Sequence, residues 1–158
     1  MYYAGPALYA AGRNKQPISI ATTFRPFLEI LYASIEETVN LGVLKGDQLV
    51  FIDGIEGKQN LRVGLRTGMR FPAASTAGGQ AILKAQEAGY PAAPVVTYSV
   101  DKAENGVTAI GLALGRFNRH EIAITISIPT SRVTPDRRKR LERELRQLYS
   151  RVRESLLQ

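Results

Sequence analysis

The residues best suited to hold a small molecule are Ser75-Thr76-Ala77-Gly78-Gly79, a run of small side chains just ahead of an apolar helical pattern. The first N–H groups of a helix have no intrahelical acceptor, and the helix dipole favours negative charge there. Side chains this small let an anion approach those amides, although close packing of a helix on a sheet asks for the same composition. Thr125 and Ser127 are polar and two apart in an otherwise apolar stretch. At strand spacing they share a face, turned either to solvent or into a polar pocket floored by the sheet. Groups for chemical turnover are scarce. The chain lacks G-x-x-x-x-G-K-[ST], G-x-S-x-G and H-E-x-x-H. Absence of cysteine removes disulfides, thiolate chemistry and cysteine-ligated zinc, and the single histidine, His120, sits beside a turn. Asp53, Glu56, Asp101 and Glu104 show no spacing that would put two carboxylates in one site. This inventory points to binding, with no enzyme activity, cofactor or metal expected.

Such residues need elements to carry them. Residues 3–12 read as a short helix ending near Gly12, and Arg13 to Pro17 as a connector. A second helix is predicted from about Thr23 to Glu37, capped by Thr22 or Thr23, with Pro26 in its first turn and a stripe of Phe27, Leu28, Leu31 and Ile35. Alternation over 38–44 and 48–53 around Lys45-Gly46-Asp47 specifies a β-hairpin. Residues 61–64 read as a further strand, a helix should run through Ala81, Ile82, Leu83 and Ala85, and the Pro-rich stretch 87–98 gives no clear pattern. Gly106–Leu114 and Glu121–Ile128 form a second strand pair around residues 115–119. A long helix starts near Thr134, capped by its hydroxyl, with Pro135 at the first position and Leu141, Leu145, Leu148, Val152 and Leu156 as its buried stripe. Helices segregate from antiparallel hairpins, so the fold class is α+β.

The chain of 158 residues is the size of one domain, with 44% hydrophobic and 22% charged residues and no apolar run long enough to span a membrane. No signal-peptide pattern opens it, and the expected location is the cytoplasm. Of the +7 net charge, most sits in residues 132–158, which hold nine Lys/Arg against four Asp/Glu. A nucleic-acid surface would account for that excess. However, Arg138 with Glu142, Arg140 with Glu144 and Glu142 with Arg146 stand at i,i+4, the spacing of a solvated helix face.

Five blocks in order carry a family resemblance. Glu36 to Leu41 followed by Leu49 to Gly57 resembles the "GETVxLxV…xVxYxDxVEG" hairpin of IclR-type transcription regulators. Residues 68–72 and 76–83 resemble "GxRxPxxxxAxGKAxL" in that family. Tyr98-Ser99-Val100-Asp101 with Glu104, Gly106-Val107 and Ala109-Ile110 resembles "GYxxDxEE…GVxxIAxP", and Ile124 to Thr134 resembles "AxSxSGPxxRxT". Gly5-Pro6-Ala7-Leu8 with Gly12 is similar to the linker helix that precedes the domain.

The resemblance implies a GAF-like curved antiparallel sheet flanked by helices and closed by the long C-terminal helix. Residues 1–16 would be linker helix and connector, and 17–158 the effector-binding domain. It further implies a binding switch without turnover: a small effector, an organic acid, biases a DNA-binding winged helix that is expected to lie in an N-terminal domain absent from this chain. A homodimer or tetramer is implied, and no membrane association. Carried over position by position, the effector contacts are Thr76, Ala77, Gly78 and Gly79 at the helix start, Asp101, Ala109, and the strand hydroxyls Thr125 and Ser127. On this reading Gly78→Leu should abolish binding and leave the fold intact. The chain departs from the family pattern in being a few dozen residues shorter between Leu83 and Tyr98, and in Ile128 and Gln80, where glycine and lysine are common.

Overall fold

The computed structural model describes residues 15–102 and 104–156; the expected linker helix over 3–12 lies outside them. Helix α1 (Lys15–Ile35) leads into strands β1 (Thr38–Lys45), β2 (Gln48–Ile55) and β3 (Arg70–Pro72). Helix α2 (Ala77–Glu87) follows, then β4 (Val96–Val100), β5 (Val107–Phe117), β6 (His120–Pro129) and helix α3 (Pro135–Leu156). The six strands form one curled antiparallel sheet in the order β3-β2-β1-β6-β5-β4. Helices α1 and α3 pack on one face and α2 on the other. The expected class, α+β with a curved antiparallel sheet, helices on both sides and a long C-terminal helix, is the observed one.

Period-2 alternation divides each central strand between two environments. Val39, Leu41 and Val43 of β1, Ile110, Leu112 and Leu114 of β5, and Ile122, Ile124, Ile126 and Ile128 of β6 face the helix pair. They meet Ile20, Phe24, Leu28, Leu31 and Ile35 of α1 and Leu141, Leu145, Leu148 and Val152 of α3 in one buried core. Burying that many aliphatic side chains, at about 1.5–3 kcal/mol each, fixes the register of the sheet. The opposite face of the same strands carries smaller and more polar residues, and α2 covers it.

Helix α1 corrects the sequence reading at its start. It begins at Lys15, within the expected connector, so neither Thr22 nor Thr23 caps it and Pro26 lies in its interior. The apolar stripe extends back to Phe24 and Ile20, and burying those two residues outweighs the hydrogen bond that proline removes. Pro26 itself is exposed, where water can serve the freed carbonyl. Pro26→Ala is therefore expected to stabilise the domain by about 2 kcal/mol. That is roughly the 3 kcal/mol cost of an interior proline less up to 1 kcal/mol for the proline's restriction of the unfolded chain. Denaturant melts of the two proteins measure it; equal midpoints would mean that the helix already absorbs the proline without cost.

Residues 61–64 are not a strand. Side chains take the backbone groups that a neighbouring strand would have used: the Thr38 hydroxyl donates to Val63 O, and the Leu65 N–H donates to Glu56 Oε1 at 3.3 Å. The N–H of Arg66 donates to Asn40 Oδ1 at 3.3 Å. Helix α3 begins as expected, with the Arg137 N–H donating to Thr134 Oγ1 at 3.1 Å. Of its three expected ion pairs, Glu142–Arg146 forms, at 2.8 Å. Arg138 instead stacks over the Tyr98 ring at 3.8 Å, and Arg140 donates to Ser34 O at 2.8 Å. Two of the helix cations thus fasten α3 to the rest of the fold.

Candidate effector site

Strand register arranges the α2 face of the sheet in rows. Ala113 pairs with Ala123. One row further along the strands stand Asn40, Thr125, Gly111 and Thr97, and in the next Thr38, Ser127, Ala109 and Ser99. All eight are buried except Ala109, which is half-buried. This is a polar floor inside the protein, so Thr125 and Ser127 do not face solvent.

Helix α2 lies along these rows. Its body, through Ala81, Ile82 and Ala85, packs on Ala113, Ala123, Leu49 and Phe51. Its start sits on the first polar row. A Cβ on Gly78 would come 2.7 Å from Thr125 Oγ1, and one on Gly111 would come 2.3 Å from the Ala77 carbonyl carbon. The Thr97 hydroxyl donates to Ala77 O at 2.5 Å. The amide end of the helix therefore points along the strands toward Ser127, Ala109 and Ser99.

Thr76 is the N-cap: its Oγ1 accepts the Gly79 N–H at 2.9 Å and its carbonyl accepts the Gln80 N–H at 2.9 Å. That leaves the Ala77 and Gly78 N–H groups, which by their helical position have no intrahelical acceptor. Two side-chain atoms of the same row, Thr125 Oγ1 and Asn40 Nδ2, are buried without a hydrogen-bond partner. Buried polar atoms rarely go unpaired, because each costs about 1–3 kcal/mol. The first helical amides, a hydroxyl and a carboxamide N–H together offer donors to an anion.

The expected residues thus divide. Thr76, Ala77, Gly78, Gly79 and Thr125 come together, with Ser127 and Ala109 in the adjoining row. Asp101 stands apart from them: exposed, in the turn joining β4 to β5, at φ 58°, its Oδ1 accepting the Gly106 N–H at 2.7 Å. Such bonding is that of an aspartate holding a turn. Gly78 leaves no room for the Leu substitution, since its Cβ would also press on Leu49 at 3.1 Å and Ala123 at 3.2 Å. That variant would disturb the packing of α2 on the sheet, so it cannot leave the fold intact.

Asn40 and Arg66 were not among the expected site residues. Thr38 and Asn40 carry the same two-apart polar signal in β1 as Thr125 and Ser127 in β6, and the signal could have been read there. Arg66, 7% exposed, sends its guanidinium to both oxygens of Glu104 at 2.6 and 2.8 Å. These bonds hold the Glu104 carboxyl below its ordinary value of 4.5. Because the folded-state value is depressed, the pair's contribution is complete above the ordinary value and is lost as pH falls through the lowered one. Amide exchange of residues 58–69 should therefore accelerate as pH drops below about 4.5, after correction for intrinsic rates, and Glu104→Gln should remove that pH dependence.

Among the described residues, no three His, Cys, Asp or Glu side chains are grouped to hold a metal, and no helix is long and apolar enough to cross a membrane. A separate concavity of about 290 Å³, lined in part by Tyr90, Ala113, Arg116 and Tyr149, includes none of the expected site residues.

The curled sheet with one covering helix and a helix pair behind it is the architecture of a bacterial regulator's C-terminal domain. It superposes on the Thermotoga maritima IclR crystal structure with a TM-score of 0.70 at 21% identity, covering 91% of this chain and 70% of that one. A similar match, TM-score 0.70 at 14% identity, covers 92% of this chain and 71% of an IclR homolog from Microbacterium hydrocarbonoxydans solved as a complex with 4-hydroxybenzoate. In sequence, residues 15–95 match the family described as "Bacterial transcriptional regulator IclR C-terminal", and the chain belongs to that family. It is 36% identical over 83 residues to the HTH-type transcriptional regulator TtgV of Pseudomonas putida, a match covering 51% of this chain and 31% of TtgV. The matches span between 22% and 61% of the length of the curated relatives. The family and these relatives are regulators, not enzymes.

Proposed function

We propose that this domain is the effector sensor of an IclR-type DNA-binding regulator, taking a small organic acid at the amide end of α2, over the adjoining part of the polar floor. The observation that carries this reading is Thr125 Oγ1, buried and without a partner directly beneath Gly78. An acid group lying there would accept bonds from the Ala77 and Gly78 amides and from the Thr125 hydroxyl. Charge-assisted bonds of this kind contribute about 1.5–3 kcal/mol each. Thr76 and Gly79 shape the helix start, and Ser127 and Ala109 lie under the rest of the molecule. Asp101 acts on the site through the turn it holds. Binding regulates transcription by favouring one of two conformations or assemblies of a homodimer or tetramer, transmitted to a DNA-binding domain N-terminal to this one. The expected location is the cytoplasm.

The test is a thermal-shift screen of this domain against aliphatic and aromatic carboxylates, starting with 4-hydroxybenzoate because a relative of the same fold was solved with it. A ligand at a hundredfold excess over Kd stabilises the folded state by about 2.7 kcal/mol. A saturable rise with one acid and none with its amide is the expected result. No rise with any acid would leave a domain whose role is assembly.

A further inference from the structure

Next to the floor, Arg66 and Glu104 form a two-bond ion pair, at 2.6 and 2.8 Å. The two partners are unequal. Arg66 is pinned by its own N–H on Asn40 Oδ1, and its guanidinium stands 5.7 Å from the centre of the Phe71 ring. Its side chain is 8% exposed, against 45% for Glu104. An arginine fork this buried needs a carboxylate in it, and half-exposed Glu104 can leave for water once another carboxylate takes its place.

The pair adjoins the same floor. The Arg66 N–H is bonded to Asn40, which shares a row with Thr125 and Gly111 under the start of α2. Glu104 reaches Arg66 from the turn that joins β4 to β5, the strands that carry Ser99 and Ala109 in the adjoining row.

We infer that the effector is a dicarboxylic acid, one carboxylate held at the start of α2 and the other taking the place of Glu104 on Arg66. Glu104 is then an internal stand-in for the second acid group. This inference rests on the effector-site reading above, and Thr125→Val separates the two.

Calorimetric titration with the linear dicarboxylates from succinate to azelate, and with the monocarboxylates of equal chain length, tests it on the parent domain and on Glu104→Gln, Arg66→Lys and Thr125→Val. One dicarboxylate should bind at least tenfold more tightly than its monoacid. Glu104→Gln should widen that gap, and Arg66→Lys, which keeps the charge but loses the fork, should close it; circular dichroism melts check that each variant folds. Equal binding of mono- and dicarboxylates in the parent and in Glu104→Gln, lost in Thr125→Val, overturns the role of Arg66 and leaves the site standing. Binding of no acid by any of the four proteins overturns both.

Discussion

Thr125→Val is expected to yield a domain that is more stable than the parent and blind to acids. The hydroxyl is buried without a partner, and a buried unpaired hydroxyl costs about 1–3 kcal/mol. Valine has nearly the same shape, keeps β-branching in the centre of a strand, and needs no hydrogen bond. A gain of about 1–2 kcal/mol follows, or some 3–6 °C in melting temperature for a domain of this size. The stabilisation of the parent by a bound acid should vanish in the variant, because valine offers no donor and puts a methyl group where the hydroxyl would have met the acid. Both results come from one set of melts. A variant less stable than the parent would show that the hydroxyl has a structural partner, and an unchanged ligand shift would place the ligand elsewhere. Improved stability paired with lost binding is the pattern of a group kept for a ligand.

The second large effect is expected at Glu37, a carboxylate 1% exposed just after α1. Arg132 donates to both its oxygens at 2.8 and 3.2 Å, and Arg137 to one of them at 3.1 Å. The same arginines bond the Leu61 carbonyl at 2.5 Å and the Ile35 carbonyl at 3.0 Å. Glu37 thus ties the end of α1, the loop over the floor and the approach to α3 together. Glu37→Gln removes the charge and leaves two cations without an anion. Breaking a buried pair on one side typically costs 3–5 kcal/mol. Because both arginine side chains keep about a quarter of their exposure, the loss should fall at the low end, near 3 kcal/mol. Urea melts should show a lower midpoint at unchanged slope. An unchanged midpoint would mean that water already compensates the two arginines. Arg137→Met, which leaves the Arg132 fork in place, should cost less than half as much.

The elements whose pattern is local were legible in the sequence. The first hairpin appears where alternation and turn residues put it, and so does the second strand pair, except that its strands run on through residues 115–117 and His120 and leave only Asn118-Arg119 as the turn. Helix α3 starts at its Thr134 cap and buries Leu141, Leu145, Leu148 and Val152 of the predicted stripe, with Leu156 half-buried. The site was legible in part for the same reason: a capping residue followed by small residues marks a helix start, and Thr125 with Ser127 marks one face of a strand. The resemblance to the IclR family then supplied the order of the blocks.

What tertiary structure decided is which candidates meet and which face is inside. Period 2 states that Thr125 and Ser127 share a face, but solvent and pocket look alike until α2 is laid across it. Local rules put a helix start near Thr23, and packing against the sheet carried the helix through Pro26 and back to Lys15. The strand read at 61–64 gave way to side-chain bonds from residues distant in sequence. Asp101 had the right block around it and is spent on a turn. Arg66 and Glu104 are 38 residues apart in unrelated segments, so no periodicity could join them. Local patterns record what each segment can form. Pairing across the sheet depends on long-range burial and on where the remaining polar groups find partners, and only the folded chain sets those.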